Sequence, residues 1–476
     1  MLPESVVEYL RAGARRHLDE LMELLRLPSV ANTEPRQCRL CAERLAAHLE
    51  RLGMAARLEG GDDGGPPNVL ATALAAEAAA PTLLLYGHYD VQPPDPLDQW
   101  QSPPFEPRVR DGWLFARGAS DDKGQVMAQL AAVEAWQRAG GGLPVHLKVL
   151  LEGREEIGSP GLEAFVAARA AELAADAAVI SDTGFLRDGL PSITYGLRGL
   201  AYVEVDFHGP SRDVHSGEHG GAVTNPINAL AGLIAAMHDA DGRVTLPGFY
   251  DDVVELTERE RREWAALPID EAEYARSLGV EALGAGERRG YTPLERRWGR
   301  PTLDCNGIVG GYTAAGSKTI IPAAASAKIS MRLVSDQDPA KVVEGMRQFV
   351  AAHTPPGIRA ELRVNAESRP VLLGRDTPAM RAGCAAMEEA FGRAPAMIRC
   401  GASVPVTELI QRLLGLDAVL LGFGLPEDNV HSPNERLRLD QFHRGAVAAA
   451  AFLGLLPREL SAGGCARRSP RRWTRR

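Results

Sequence analysis

The stretch LLLYGHYDVQPPDP, residues 83–96, runs from apolar residues into a histidine, a spaced aspartate and a group of prolines. Three consecutive leucines without polar alternation are typical of a strand in a largely parallel sheet, where both faces are covered. Gly87 and the prolines are turn signals that end this strand. His88 and Asp90 are therefore predicted at the edge where open α/β sheets bind ligands. Taken alone, the stretch fits a core histidine beside a turn aspartate equally well.

The composition limits the class of protein. The 476 residues exceed one ordinary core, which predicts two or three domains, and 45% hydrophobic with 24% charged residues are globular values. A net charge of −9 argues against a nucleic-acid-binding body. No run approaches the roughly 18 to 20 continuous apolar residues of a membrane helix, and the N-terminus has helical spacing without a signal-peptide pattern. We expect a cytoplasmic protein with neither nucleic-acid nor membrane partners.

Two segments have structural interpretations that we favour over functional ones. Cys38 and Cys41 form a single C-x-x-C inside a helical pattern, and no second pair completes a zinc site. Six cysteines in a chain of this length do not indicate a disulfide scaffold. The C-terminal segment CARRSPRRWTRR is rich in arginine but has no aromatic or helical pattern, which predicts a disordered tail.

The order of the elements predicts an interrupted α/β domain. Helical and strand patterns alternate up to residue 197 and again from about 376. Between them, an alternating strand at 200–207 opens the order β-α-β-β-α-β, which is typical of a small antiparallel sheet with helices on one face. We predict a catalytic domain from residues 1–197 and 371–460, an inserted domain at 198–370, and a tail at 461–476.

Five segments with potential metal ligands lie at strand ends or in the loops that follow. Each is weak alone, because an acidic pair after a strand is usually a solvated loop or a helix cap. Together they would gather negative charge at one edge of the sheet, which is unfavourable unless cations bind there. Mixed imidazole and carboxylate ligands suit zinc, manganese or cobalt. The residues are His88 and Asp90, Asp121 and Asp122, Glu155 and Glu156, Asp182, and His431.

These segments resemble the motifs of the M20 metallopeptidases, in particular the carnosinase or cytosolic non-specific dipeptidase branch. The resemblance covers nearly the whole chain except the Arg-rich tail. It implies a mixed-sheet α/β catalytic domain with an inserted ferredoxin-like α+β lid and dimerisation domain. The motifs are GHYDVQP, ARGASDDKG, EGREEIGS, ISD, ITYGLRG, HSG-x-x-GG at 215–221, and HSPNE.

The resemblance implies two divalent ions per subunit, with zinc as the first candidate and manganese or cobalt as alternatives. His88 and Asp182 are implied to bind one ion, Glu156 and His431 the other, and Asp121 to bridge them.

The same resemblance implies roles for the neighbours of these ligands. Asp90 would hydrogen-bond the outer ring nitrogen of His88, which fixes the tautomer of the ligand. Glu155 would be the general base towards a metal-bridging water. A cis peptide bond is expected after the bridging residue, between Asp121 and Asp122.

Substrate contacts are also implied by the resemblance. His215 would act in the active site of the partner subunit of a homodimer, formed through the inserted domain, and stabilise the oxyanion. Arg332 would hold the terminal carboxylate of a peptide substrate, with Thr319 and Ser403 in the same pocket. From the residues alone, Arg332 would be an ordinary salt bridge on a strand and His215 a surface histidine.

Two departures from the family pattern concern the substrate. Ala402 replaces a common glycine, and the stretch VNAESRP at 364–370 lacks a histidine that some relatives use. The second departure argues against a preference for imidazole-containing dipeptides.

The expected function is hydrolysis of dipeptides with a free C-terminal carboxylate. The alternative is an N-acyl- or N-carbamoyl-amino-acid amidohydrolase, because the same base and carboxylate clamp would serve it. The long insert at about 239–298 favours the dipeptidase branch. An inactive metal-binding protein is disfavoured because neither the ligands nor the base are lost.

Overall fold

The computed structural model describes residues 2–61, 63–284, 286–287, 290–401 and 404–462. The chain divides into two compact units. The first unit comprises Met1–Tyr195, Leu373–Ile398 and Val404–Arg476, and the second comprises Gly196–Leu372 and Arg399–Ser403. The tail predicted at 461–476 lies, from residue 463 onwards, outside the described residues.

Helices form where apolar residues recur at helical spacing, and several begin with a proline whose missing N–H costs nothing at a helix start. Asn225, Asp338 and Thr377 cap three of these helices by accepting main-chain N–H groups. The helices within the described residues are α1 (Glu4–Leu25), α2 (Pro35–Arg51), α3 (Lys123–Ala139), α4 (Leu162–Ala168), α5 (Ala170–Leu173), α6 (Ser216–His219), α7 (Pro226–Ala236), α8 (Glu258–Ala265), α9 (Glu271–Ser277), α10 (Pro293–Gly299), α11 (Pro339–His353), α12 (Pro378–Phe391), α13 (Pro405–Leu409) and α14 (Leu439–Ala462).

Strands follow the continuous or alternating apolar runs. Short helical turns at Leu97–Gln99, Glu155–Ile157, Ile410–Leu414 and Pro426–Asp428 lie in the connections. The strands are β1 (Ala55–Glu59), β2 (Asn68–Ala73), β3 (Thr82–His88), β4 (Arg108–Arg110), β5 (Trp113–Phe115), β6 (His146–Glu152), β7 (Ala177–Ile180), β8 (Ser192–Leu197), β9 (Gly199–His208), β10 (Val214–His215), β11 (Thr302–Gly310), β12 (Ile320–Ile321), β13 (Ala324–Leu333), β14 (Arg359–Ser368), β15 (Val371–Leu372), β16 (Ala396–Cys400), β17 (Ala418–Leu420) and β18 (Arg436–Arg438).

The large sheet of the first unit has the order β1-β2-β6-β3-β7-β17-β8. Its central strands β6, β3, β7 and β17 run parallel, and antiparallel strands flank them on both sides. From Leu83 to His88 every residue of β3 is buried, which confirms the predicted central strand. The sheet is thus mixed, as the predicted fold class requires, and the carboxyl ends of its parallel strands meet at one edge.

Helix α14 is the one helix of the described chain that is long and apolar enough to cross a membrane. It packs on α3 and α12, and buries Phe442, Phe452 and Leu456. A core helix and a membrane helix share this composition, and the packing identifies α14 as a core helix of the first unit.

The second unit has the predicted order of elements, β9-α7-β11-β13-α11-β14. The four strands form an antiparallel sheet in the order β11-β13-β9-β14. Residues of β9 alternate between buried and half-buried, as predicted for a strand with one wet face. Helices α7 and α11 cover the other face, where Phe207, Ile329 and Met346 belong to one apolar core. Helices α8, α9 and α10 occupy the polar insert.

Candidate metal centre

The first unit brings the predicted ligands to one edge of its sheet. His88 ends β3, and the turn Glu155–Ile157 follows its parallel neighbour β6. Asp182 comes two residues after the end of β7, the neighbour on the other side. Parallel neighbouring strands end at the same edge, so their loops place these side chains together. Asp121 lies in the turn before α3, and His431 lies in the loop after β17.

Two groups of ligand atoms share Asp121. His88 Nε2 lies 3.0 Å from Asp121 Oδ1 and 3.9 Å from Asp182 Oδ1. His431 Nε2 lies 2.9 Å from Asp121 Oδ2 and 3.2 Å from Glu156 Oε2. Within each group the three ligand atoms lie within 4.8 Å of one another. One aspartate therefore offers one oxygen to each group.

The electrostatics of this edge favour bound cations. Burial raises the pKa of Asp182 well above its usual value, and the charge of Asp121 adds to the effect. Burial also raises the pKa of Glu155 to about 8, with repulsion from Glu156 in the same direction. Hydrogen bonds to Asp121 and Glu156 raise the pKa of His431 to about 10. Burial and neighbouring carboxylates together raise the pKa values of Asp182 and Glu155, and neighbouring carboxylates raise that of His431. Each ligand group combines one imidazole with two carboxylates, so the residues fit two divalent ions.

The backbone of Asp90 orients His88. The Nδ1 atom of His88 lies 3.1 Å from the main-chain oxygen of Asp90, whereas the nearest carboxylate oxygen is 3.5 Å away. A carbonyl oxygen only accepts hydrogen bonds, so Nδ1 carries the hydrogen and Nε2 keeps its lone pair for a ligand role. The expected partner of His88 is thus the correct residue, but its main chain makes the hydrogen bond.

The carboxylate of Asp90 has a second task that the sequence analysis missed. Its two oxygens accept the N–H groups of Glu155 at 3.1 Å and Glu156 at 3.0 Å. These N–H groups open a helical turn and have no partner within it. Asp90 therefore holds the Glu155–Glu156 turn against the end of β3.

Adjacent glutamates face different surroundings. Gln92 Nε2 donates to Glu156 Oε2 at 2.8 Å and to the Glu156 main-chain oxygen at 3.1 Å. The Glu155 carboxylate makes no hydrogen bond or ion pair within the described residues. Sequence reasoning did not single out Gln92, although an amide between a valine and two prolines was a usable signal. Glu156 is thus oriented towards His431, while Glu155 stays available.

Another backbone feature of the predicted site is present. The peptide bond between Asp121 and Asp122 is cis, as expected.

Cys38 and Cys41 are buried, free cysteines of α2, and neither belongs to a possible metal-binding group in the described part of the chain.

Predicted substrate residues lie in the second unit. His215 ends β10 and pairs with Ile320 of β12, and the main-chain oxygen of Thr319 accepts the N–H of Ser216 at 3.0 Å. The two-stranded sheet thus brings His215 and Thr319 together. His215 Nδ1 accepts a hydrogen bond from the N–H of Gly217 at 2.9 Å, which leaves Nε2 as the hydrogen-bearing atom of the exposed ring.

Arg332 is half-buried on the outer face of β13, opposite Thr302 of β11. It makes no ion pair with any residue the structure describes. Arg198 lies beside it, with Nη1 3.5 Å from Thr302 Oγ1 and a buried Nε that has no partner among the described residues. Burial lowers the pKa of Arg198 to about 10, and repulsion from Arg332 contributes. Sequence reasoning missed Arg198, and Ser403 lies outside the described residues.

The comparisons with known proteins identify the family. The sequence model of peptidase family M20/M25/M40 matches residues 84–454, and the chain belongs to this family. It is therefore a peptidase that hydrolyses peptide bonds.

Relatives and solved structures agree with this assignment. The Cys-Gly metallodipeptidase dug1 of Schizosaccharomyces pombe is 34% identical, over 84% of this chain and 85% of its own length. The Beta-Ala-His dipeptidase of Homo sapiens is 32% identical, over 86% of this chain and 82% of its own length. The M20 family metallo-carboxypeptidase Sso-CP2 from Sulfolobus solfataricus matches with a TM-score of 0.83 and 35% identity, over 93% of this chain and 99% of that one. Human carnosine dipeptidase 1 matches with a TM-score of 0.80 and 30% identity, over 96% of this chain and 100% of that one.

Proposed function

We propose that this protein is a dinuclear metal-dependent dipeptidase that hydrolyses short peptides with a free C-terminal carboxylate. The observation that carries the proposal is the pair of ligand groups that share Asp121. Two relatives that each cover more than four fifths of the chain bear the names of dipeptidases, one for Cys-Gly and one for β-Ala-His. A cytoplasmic location belongs to the same proposal.

The ligands divide between two ions. His88 and Asp182 would hold one, Glu156 and His431 would hold the other, and Asp121 would serve both. When bound, such ions polarise a carbonyl oxygen and lower the pKa of water. Zinc is the first candidate because imidazole and carboxylate ligands suit it, and manganese and cobalt are the alternatives.

The free carboxylate beside these ligands would do the proton chemistry. The Glu155 carboxylate makes no hydrogen bond or ion pair with the residues that the structure describes, and Asp90 holds the Glu155 backbone in place. It would take a proton from the attacking water and pass it to the leaving amine as the peptide bond breaks. Adjacent residues of one turn thus divide ligation and proton transfer between them.

Recognition of the substrate carboxylate is assigned to Arg332, with Thr319 and Ser403 as further contacts. The absence of an ion pair to Arg332 within the described residues, and the repulsion between it and Arg198, support an anion at this place. The exposed Nε2–H of His215 is a suitable donor to an oxyanion. We assign this role to the active site of the partner subunit in a homodimer formed through the second unit, which would also be the lid.

A substrate panel tests the proposal. Protein stripped with a chelator is reloaded with zinc, manganese or cobalt, and offered free dipeptides, an N-acetyl, an N-succinyl and an N-carbamoyl amino acid. We expect metal-dependent cleavage of the free dipeptides, with the blocked compounds untouched. Cleavage of blocked amino acids alone would make the protein an amidohydrolase, and cleavage without metal would exclude the metal centre.

A further inference from the structure

A buried carboxylate outside the ligand set holds the loop of the shared ligand. Glu435 is fully buried and lies four residues after His431. We propose that Glu435 is a positioning residue for the metal centre, which aligns Asp121 between the two histidines. This inference rests on the proposed function, because it takes Asp121 and His431 to be metal ligands.

The carboxylate of Glu435 accepts four hydrogen bonds. Its Oε1 atom accepts the N–H groups of Ser120 at 2.9 Å and Asp121 at 3.1 Å. Its Oε2 atom accepts the N–H of Gly118 at 2.9 Å and Nη1 of Arg117 at 2.8 Å. A carboxylate has about four acceptor positions, so all of them are used.

These hydrogen bonds determine the shape of the loop at 117–121. Gly118 has a φ of 83°, which turns the chain so that three N–H groups of one short segment point at the same carboxylate. Buried N–H groups need acceptors, and the two oxygens of Glu435 accept hydrogen bonds from three N–H groups of this loop. Without its two oxygens this loop would have to find another conformation, and the Asp121 side chain would move with it.

The consequence for the site follows from the position of Asp121. Its two carboxylate oxygens lie 3.0 Å from His88 and 2.9 Å from His431. Glu435 is 314 residues from Asp121 in sequence, yet it belongs to the same loop as His431. One C-terminal segment thus contributes a ligand and also holds the N-terminal ligand in place, so that both ion positions depend on Glu435.

A purely structural role is the competing explanation. Glu435 also neutralises Arg117, whose side chain is 1% exposed, and a buried charge without a partner destabilises a fold. The two explanations differ in what happens when both charges are removed. If Glu435 serves only to neutralise Arg117, the double removal restores the site; if it aligns the N–H groups of the loop, the site stays impaired.

The first test compares Glu435→Gln with Glu427→Gln, an exposed glutamate of the same loop. Both proteins are stripped of metal, checked for folding by circular dichroism, and titrated with zinc against a chromogenic chelator. We expect Glu435→Gln to bind zinc about 10- to 100-fold more weakly at both positions, and the control to bind as the unaltered protein does. Unchanged zinc affinity in Glu435→Gln would overturn the proposal.

The second test uses the double variant Arg117→Met with Glu435→Gln, which leaves no buried charge unpaired. We expect it to fold and still to bind zinc weakly. Recovery of full affinity, or failure of both variants to fold, would assign Glu435 to structure alone and overturn the proposal. If the unaltered protein itself bound no zinc, the proposed metal centre would be wrong instead.

Discussion

Two adjacent glutamates of the candidate centre differ in the contacts of their side chains. Glu155 and Glu156 are neighbours in the chain, and Asp90 accepts the N–H groups of both. Only Glu156 has its carboxylate held by Gln92 and directed towards His431. The proposed ligand and the proposed base therefore differ in their side-chain partners.

This division predicts the behaviour of two variants. Glu155→Gln should keep both metals but lose about 100- to 10,000-fold in kcat, because an amide cannot take up the proton. Glu156→Gln should lose metal as well as activity. Metal content by mass spectrometry and turnover of a free dipeptide check both expectations. Activity of Glu155→Gln near that of the unaltered protein would show that another group is the base.

The role of Arg332 predicts a substrate-dependent effect. Removing a charge-assisted hydrogen bond costs about 1.5–3 kcal/mol, so Arg332→Gln should raise KM for a dipeptide by about 10- to 100-fold. The matching dipeptide amide has no terminal charge, and its KM should be the same for both proteins. An equal rise in KM for the dipeptide and its amide would mean that Arg332 does not bind the substrate carboxylate.

At the level of elements, helices α1 and α3 are joined by a partly buried ion network. Oε2 of Glu134 in α3 lies 2.9 Å from Nη2 of Arg16 and 3.1 Å from Nε2 of His17. The hydroxyl of Tyr9 donates to the other carboxylate oxygen, Oε1. Burial opposes the charge of Glu134, but the hydrogen bonds from His17 and Arg16 prevail and lower its pKa to about 2.

The sign of this shift predicts a pH dependence. A carboxyl group whose pKa is lower in the folded state stabilises it above the unfolded pKa, near 4.3, and loses this effect as the pH falls towards 2. Glu134→Gln should therefore lower the urea midpoint at pH 7, and the deficit should shrink below about pH 4. Glu163→Gln, which breaks the exposed pair with Arg412, should change little. A deficit that is constant from pH 7 to pH 3 would contradict the assignment.

Elements were largely predictable because their patterns are local. The alternating strand predicted at 200–207 coincides with the body of β9. Strand β17 ends at Leu420. Leu421 then donates its N–H to Ile180, and this contact between distant segments has no signature in the local sequence.

At the level of the whole molecule, the proposed dimer requires a surface on the second unit. Strand β11 is at the edge of its four-stranded sheet, and its Ile308 and Val309 are 60% and 66% exposed. An unpaired edge with apolar side chains is suited to pair with a second copy.

This edge gives the prediction for the assembly. Charged residues introduced together as Ile308→Lys and Val309→Glu should convert the dimer to a monomer in sedimentation experiments. The metal content should remain, but turnover should fall because His215 could not reach a partner. Leu74→Lys in the first unit, where Leu74 is 83% exposed, is the control. A fully active monomer would exclude a role of His215 in the active site of the partner.

Short apolar periods and motifs of a few residues were sufficient to predict the residue types of the candidate site, the α/β class and the order of elements in the inserted region. The tertiary structure alone decided how the site is held. It showed that the main chain of Asp90 contacts His88, that Gln92 donates to the Glu156 carboxylate, and that Glu435 accepts from the loop of Asp121. These contacts join segments from 2 to 314 residues apart. Hydrogen-bond partners depend on the positions of atoms, which local patterns do not specify.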